Sequence, residues 1–250
     1  MRRSITHWYS TRVYKHMPVV TYGHAGYPLL ILPTDEADFL ECERFQLIET
    51  LKPWIKAGKL RVYCVNSVNH SGLLNPQAAP ALKIEYVARY DSYLVHEVLP
   101  FIRNDCANID HLPLIAGMSL GASLAGNTFF KHPNLFWGAL LFSGRYDLRE
   151  YLQNYYSNEV YFNNPVDFLP NLADDYYYPI LAQGKRQIIL FSGQGAYESP
   201  QSAQRLSHIL GQKAIPHHLD VWGHDVTHDW VWWRKAMRYH LGKLCGSGVA

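Results

Sequence analysis

The stretch Leu114-Ile-Ala-Gly-Met-Ser-Leu-Gly-Ala-Ser-Leu-Ala125 decides how the chain is read. An apolar run stops at Gly117 and a lone Ser119 follows. After Gly121, small residues (Ala122, Ser123, Ala125, Gly126) recur at helical spacing. Gly117-Met-Ser-Leu-Gly121 is thus a G-x-S-x-G between an expected strand and an expected helix. In that setting the serine occupies a tight strand-to-helix turn, and the glycines let strand and helix approach without a Cβ between them. The helix start directs unpaired N–H groups at the serine, with the Leu120 N–H as one oxyanion donor. The alternative is a serine N-cap flanked by packing glycines. The apolar strand before the motif and the small-residue helix after it favour a turn that presents a nucleophile. Ser123 reads as a helix-packing residue.

Outward from this motif, strands and helices alternate. The N-terminal segment alternates in polarity like a strand, and residues 13–22 read as one or two extended segments broken at Pro18. Residues 28–33 and 60–65 read as buried strands. Between them a helical face of Leu40, Leu47, Ile48 and Leu51 ends near Gly58. A long helix is expected over 81–102 after Pro80, strands over 112–116 and 136–142, and the helix after Ser119 runs to about Lys131. Further strands are expected over 186–191 and 217–222, with helices from about Pro200 to Leu210 and from about His228 to Leu244. This order predicts an α/β fold with a mostly parallel sheet, right-handed crossovers and helices on both faces. Ligands in such sheets bind beyond the carboxyl ends of the strands, so functional side chains are sought there.

A serine nucleophile needs a positioned base, and the loop after the last strand offers His224 and His228. The loop after the preceding strand, Phe191-Ser-Gly-Gln-Gly-Ala-Tyr-Glu198, carries one carboxylate, Glu198. The order Ser119, Glu198, His228 is that of an α/β-hydrolase triad. Asp147, after the 136–142 strand, is the alternative acid, and a capping role before Pro200 is the alternative for Glu198. Asp225 and Asp229 read as local loop or cap carboxylates.

Composition narrows the class of function. The 250 residues carry a net charge of +2 with no basic block, which excludes a nucleic-acid footprint or polybasic membrane anchor. No apolar run approaches the ~20 residues of a membrane span, and no signal-peptide h-region follows the opening arginines. Cys42, Cys64, Cys106 and Cys245 lack metal-type spacing and read as free thiols of a cytoplasmic protein. No metal or other cofactor is expected. The chain reads as one domain over 1–250 with a tyrosine-rich insertion at about 147–183. Its Tyr155, Tyr156, Tyr161 and Tyr176 to Tyr178 suit either a pocket wall over the site or packing of the insertion onto the body.

With these segments in view, the chain resembles the esterase family of α/β hydrolases related to esterase D, enterochelin esterase and the mycolyltransferases. AGMSLGA, ILPTDEADFLECERFQLI, FSGRYD, GQGAYESPQSAQRLSHIL and HDWVWWRKAMRYHL carry the likeness over nearly the whole chain. It implies that the catalytic histidine opens an H-D-W-x-x-W-R segment, which selects His228, with Trp230, Trp233 and Arg234 completing the pattern and His224 as the alternative. It also implies an oxyanion donor from the loop after the first buried strand, so Thr34 and Asp35 are candidates through their backbone N–H groups. Here that loop is acidic where the family's is glycine-rich. The Asp35 and Glu36 side chains read as solvated caps of the following helix. The expected activity is hydrolysis of a small carboxylic ester through an acyl-enzyme. An acyltransferase using the same intermediate, or a binding protein on a hydrolase scaffold, are the alternatives, and a homodimer is compatible with the aromatic surface.

Overall fold

The structure is a computed structural model that describes residues 1–35, 37–106 and 111–244. The expected cap residue Glu36 and the thiol of Cys245 lie outside the described residues. Strands β1 (Arg3–Ser10), β2 (Lys15–Tyr22) and β3 (Tyr27–Leu32) open the chain, followed by short helix α1 (Glu41–Arg44), α2 (Leu47–Lys56) and β4 (Leu60–Val65). Next come α3 (Pro80–Tyr93), α4 (Leu99–Asp105), β5 (Leu114–Met118), α5 (Leu120–Lys131) and β6 (Gly138–Phe142). The insertion forms three short helices, α6 (Asn158–Phe162), α7 (Pro165–Phe168) and α8 (Tyr177–Ala182). Strand β7 (Gln187–Ser192), α9 (Pro200–Gln212), β8 (His218–Val221) and α10 (Trp230–Leu244) complete the order.

The eight strands form one sheet in the order β1-β2-β4-β3-β5-β6-β7-β8. Pairing is antiparallel at β1/β2 and β2/β4 and parallel from β4 to β8. Alternation along each buried strand divides the core. Leu30, Tyr63, Ile115 and Leu141 face one layer with α3, α4, α5 and α9. Leu29, Val62, Ala116 and Leu140 face the other with α2 and α10. After β3 the chain builds outward to β4, then returns to place β5 on the other side of β3. The carboxyl ends of β3 and β5 therefore flank the topological switch point, where such sheets bind ligands. Ser119 directly follows β5 and Thr34 closely follows β3.

The fold differs from the sequence reading where local chemistry is subtle. Pro18 does not break β2, because it pairs with His7 of the edge strand while pairing with β4 begins only at Val19. The helix expected over 40–58 is interrupted at Gln46, which takes the left-handed conformation (φ 61°) between α1 and α2. The long helix passes through a wider turn at Leu94–Val98, just ahead of Pro100, whose missing N–H cannot continue the ladder. Within that turn Glu97 accepts hydrogen bonds from Trp8 Nε1 at 2.6 Å and Ser10 Oγ at 2.9 Å, tying the edge hairpin to the helix. Glu97→Ala leaves two part-buried donors without that acceptor. A loss of about 1–3 kcal/mol is expected, read as a fall in Tm of roughly 2–4 °C per kcal/mol for a chain of this size. An unchanged melt would show that the hairpin is held by packing alone.

Candidate active site

Ser119 sits at φ 52°, ψ −126°, a conformation that costs a non-glycine residue of the order of 1–3 kcal/mol. The strain is sustained from both sides. Its N–H donates to the Phe142 carbonyl of β6 at 2.9 Å, and its carbonyl accepts the Ala122 and Ser123 N–H groups at 3.0 and 3.2 Å. Close approach explains both glycines of the motif. A Cβ on Gly117 would stand 2.2 Å from the Gly121 backbone, and one on Gly121 would stand 2.5 Å from the Pro33 carbonyl. The end of β3 is therefore pressed against the first turn of α5. Leu120, the first residue of that helix, has no intrahelical acceptor for its N–H. Ser123 does more than pack: its Oγ accepts the Arg145 N–H at 3.0 Å, joining the elbow to the loop after β6.

The loops after β7 and β8 are zipped together by backbone hydrogen bonds. Gln194 N–H donates to the Gly223 carbonyl (3.2 Å), Gly195 N–H to Val226 (2.8 Å) and His228 N–H to Ala196 (3.0 Å). Gly193 and Gly195 permit this, since a Cβ on either would meet the Val226 carbonyl at 2.2 or 2.7 Å. The zipper places His228 Nε2 2.9 Å from Ser119 Oγ. The other ring nitrogen, Nδ1, is 3.6 Å from Glu198 Oε1, an ion-pair distance just beyond hydrogen-bond reach, and has no hydrogen-bond partner.

The Glu198 side chain is fully buried. Ser143 Oγ donates to Oε1 at 2.6 Å and Ser192 Oγ to Oε2 at 2.8 Å, while Trp233 Nε1 donates to Ser143 Oγ at 3.0 Å. Burial alone pushes the carboxyl up. The His228 imidazole and the two serine hydroxyls outweigh it and hold the group below its ordinary value. The Trp233 ring also packs at right angles to the His228 ring, with centroids 4.9 Å apart.

With this geometry in hand, likeness to known proteins is informative. The sequence matches the family described as Putative esterase over residues 70–244. The chain belongs to that family. It is thereby a carboxylic-ester hydrolase, built on the α/β-hydrolase fold. No curated protein sequence matches it. Among solved structures it is similar to a ferulic acid esterase (16% identity, TM-score 0.74, 98% of each chain covered). An S-formylglutathione hydrolase from Agrobacterium tumefaciens is 14% identical with a TM-score of 0.69, covering 99% of this chain and 95% of that one. Mycobacterium tuberculosis MPT51 is 13% identical with a TM-score of 0.60, covering 98% and 99%. At these identities the likeness is one of fold.

Other expected members of the esterase site fall elsewhere. His224 is exposed on the β8 loop and does not bond Ser119, because the zipper stacks its backbone against Gly195. Asp147 is engaged by other partners than His228: it caps the turn Leu148–Tyr151 and pairs with Arg149 and Arg205 at 2.6 and 2.8 Å. Glu198 does not cap α9, whose start makes no side-chain cap bond. Thr34 is not available as an oxyanion donor, since its N–H donates to Glu41 Oε2 at 2.9 Å. In the insertion, Tyr161 and Tyr177 line a cavity of about 480 Å³ with Phe130 and Phe168. That cavity lies at the carboxyl end of α5, roughly 18 Å along the helix from Ser119. Tyr155, Tyr156 and Tyr176 are exposed. The insertion instead brings Tyr151 beside Asp35, and burial together with that charge pushes its phenol up to about 12.

Sequence reasoning missed Ser143 and Ser192, whose hydroxyls lie at the carboxyl ends of adjacent strands, each in a Phe-Ser-Gly triplet (142–144 and 191–193). That repeated triplet was the available signal. Ser143→Ala is expected to cost about 1–3 kcal/mol at pH 7 by removing a donor from a buried carboxylate. The folded Glu198 carboxyl titrates below its unfolded value of about 4.3. Its contribution is therefore present above that pH and lost as the pH falls through the depressed folded value. Urea melts of parent and variant at pH 7 and at progressively lower pH should show the difference shrinking. A difference independent of pH would mean that Ser143 acts through packing and Trp233 alone.

Proposed function

We propose that this esterase cleaves its substrate through an acyl-enzyme formed on Ser119, with His228 as base and Glu198 as the acid that orients it. The observation that carries this reading is the 2.9 Å pairing of His228 Nε2 with the hydroxyl of a serine held at positive φ. Ser119 Oγ–H donates to Nε2, and the proton passes to that nitrogen as the oxygen attacks the ester carbonyl carbon. The imidazolium so formed carries its second proton on Nδ1, facing Glu198. The ionised, buried carboxylate stabilises it, and the 3.6 Å separation closes to a hydrogen bond as charge develops. Nε2–H then protonates the departing alkoxide, and water enters by the reverse sequence.

The tetrahedral oxyanion is held by the Leu120 N–H at the start of α5 and by the Asp35 N–H from the loop after β3. Thr34 N–H is engaged by Glu41, so the loop's donor is one residue further along. Asp35 N–H has no acceptor among the described residues. Tyr151 supplies a ring with a polar tip beside that loop, suited to an ester with some polar character.

A fluorophosphonate should add one label per chain, located at Ser119 by peptide mapping. Ser119→Ala and His228→Ala should each lower kcat for p-nitrophenyl acetate by more than about 1000-fold, and Glu198→Ala by less. His224→Ala should stay within about twofold of the parent. A label elsewhere, or an active Ser119→Ala protein, would remove Ser119 as the nucleophile.

A further inference from the structure

Two buried polar side chains hold the Thr34–Asp35 segment against the elbow, and the proton transfers above use neither. Glu41, the first residue of α1, is 4% exposed. Both of its carboxylate oxygens engage Thr34: Oε2 accepts the backbone N–H at 2.9 Å and Oε1 accepts the hydroxyl. Asn69, equally buried, donates Nδ2 to the Asp35 carbonyl at 2.7 Å, and its own N–H donates to Ser67 Oγ at 3.0 Å. The peptide that bears the Asp35 N–H lies between these two anchored peptides, and its carbonyl, that of Thr34, accepts the Ala37 N–H at 3.4 Å. Three hydrogen bonds to the backbone of two residues leave the direction of that N–H little freedom. The same segment begins where the Leu32 and Pro33 carbonyls press on Gly121, so it lies alongside Leu120.

We propose that Glu41 and Asn69 are positioning residues for the oxyanion, together aiming the Asp35 N–H across the elbow at the carbonyl oxygen of the bound ester. This rests on Asp35 N–H acting as the second donor beside Leu120. The chemistry of Glu41 fits a part beyond filling space. Burial raises its carboxyl above the ordinary value, the Thr34 bonds and Arg44 oppose the rise, and the Asp35 charge adds to it. A charge buried with so little compensation is costly, and an apolar residue would fill the site without that cost. What an apolar residue cannot do is accept the Thr34 N–H by a charge-assisted bond and so fix the following peptide. Substitution of the carboxylate would leave that N–H free to rotate away and compete for the same oxyanion in a poorer geometry.

The test compares oxygen esters with their thionoester counterparts, whose C=S places a larger and weaker acceptor at the oxyanion position. Glu41→Ala is expected to lower kcat for the oxygen ester by roughly 10- to 100-fold with KM within about twofold. The oxygen-to-sulfur preference in kcat/KM should fall by about the same factor. Glu41→Gln should restore most of the loss, because its amide oxygen accepts the Thr34 N–H while its NH2 donates to the hydroxyl. Asn69→Ala should show the same signature and decides the question if Glu41→Ala does not fold. Parent-like kcat, or a loss with unchanged oxygen-to-sulfur preference, would overturn the positioning role. Ser119→Ala in the same assay separates the two ideas. If it is inactive while the Glu41 and Asn69 variants behave as parent, only the positioning role fails; if it is active, the nucleophile assignment itself fails.

Discussion

The close crossing of β5, α5 and the end of β3 is the constraint on which the site depends. Strand, helix and loop meet at separations that leave no room for a Cβ at Gly117 or Gly121. Because the helix starts so near the strand end, the intervening residue cannot relax, and Ser119 is held at positive φ with its side chain outward. The same crowding brings the loop after β3 alongside the helix N-terminus, where two backbone N–H groups can converge on one point. A looser crossing would leave the serine as an ordinary helix cap. The packing of small residues along α5, buried from Leu120 to Phe130, is what sustains the pressure.

Two buried glutamates border this crossing, and their environments differ in a way that sorts their tasks. Glu198 is reached by two hydroxyls and an imidazole, which hold its carboxyl down and favour its charged form beside His228. Glu41 meets one residue's N–H and hydroxyl, and burial prevails. The first environment suits a group that must remain an anion while positive charge develops on its neighbour. The second suits a fixed acceptor that shapes backbone. Neither could exchange places with the other, because the donor sets are built by different strands: Ser143 follows β6 and Ser192 ends β7, whereas Thr34 follows β3.

Much of this was legible in the sequence, for reasons tied to particular residues. The G-x-S-x-G marked the crossing because only glycine satisfies its geometry, and the alternation of buried strands with helices revealed the parallel sheet around it. Glu198 was singled out by its place after a strand, whereas place alone left both His224 and His228 open and the H-D-W-x-x-W-R likeness selected His228. Less legible was everything set by tertiary partners. Nothing in Thr34-Asp-Glu announces that Glu41, seven residues from Thr34, would occupy the N–H of Thr34 and move the candidate donor to Asp35. Asp147 looked equivalent to Glu198 in loop position, and only the arrival of Arg149 and Arg205 commits it elsewhere. The tyrosines of the insertion were ambiguous because amphipathic rings serve packing and binding alike.

The glycines of Ser-Gly-Gln-Gly195 connect these observations. They allow the β7 loop to lie on the β8 loop close enough for three backbone hydrogen bonds, so Glu198 and His228 are carried as one unit rather than on two independent loops. Trp233 extends that unit into α10, its ring standing at right angles to the imidazole and its N–H donating to Ser143. Arg234, its neighbour, donates to the Phe45 carbonyl at 2.8 Å and thereby anchors α10 to the α1–α2 junction. The H-D-W-x-x-W-R segment is thus a mechanical link as much as a source of the histidine. It couples the zipper at one side of Ser119 to the helix pair that begins with Glu41 at the other. The loops that carry Glu198 and His228 and the helix pair that begins with Glu41 are therefore joined through α10.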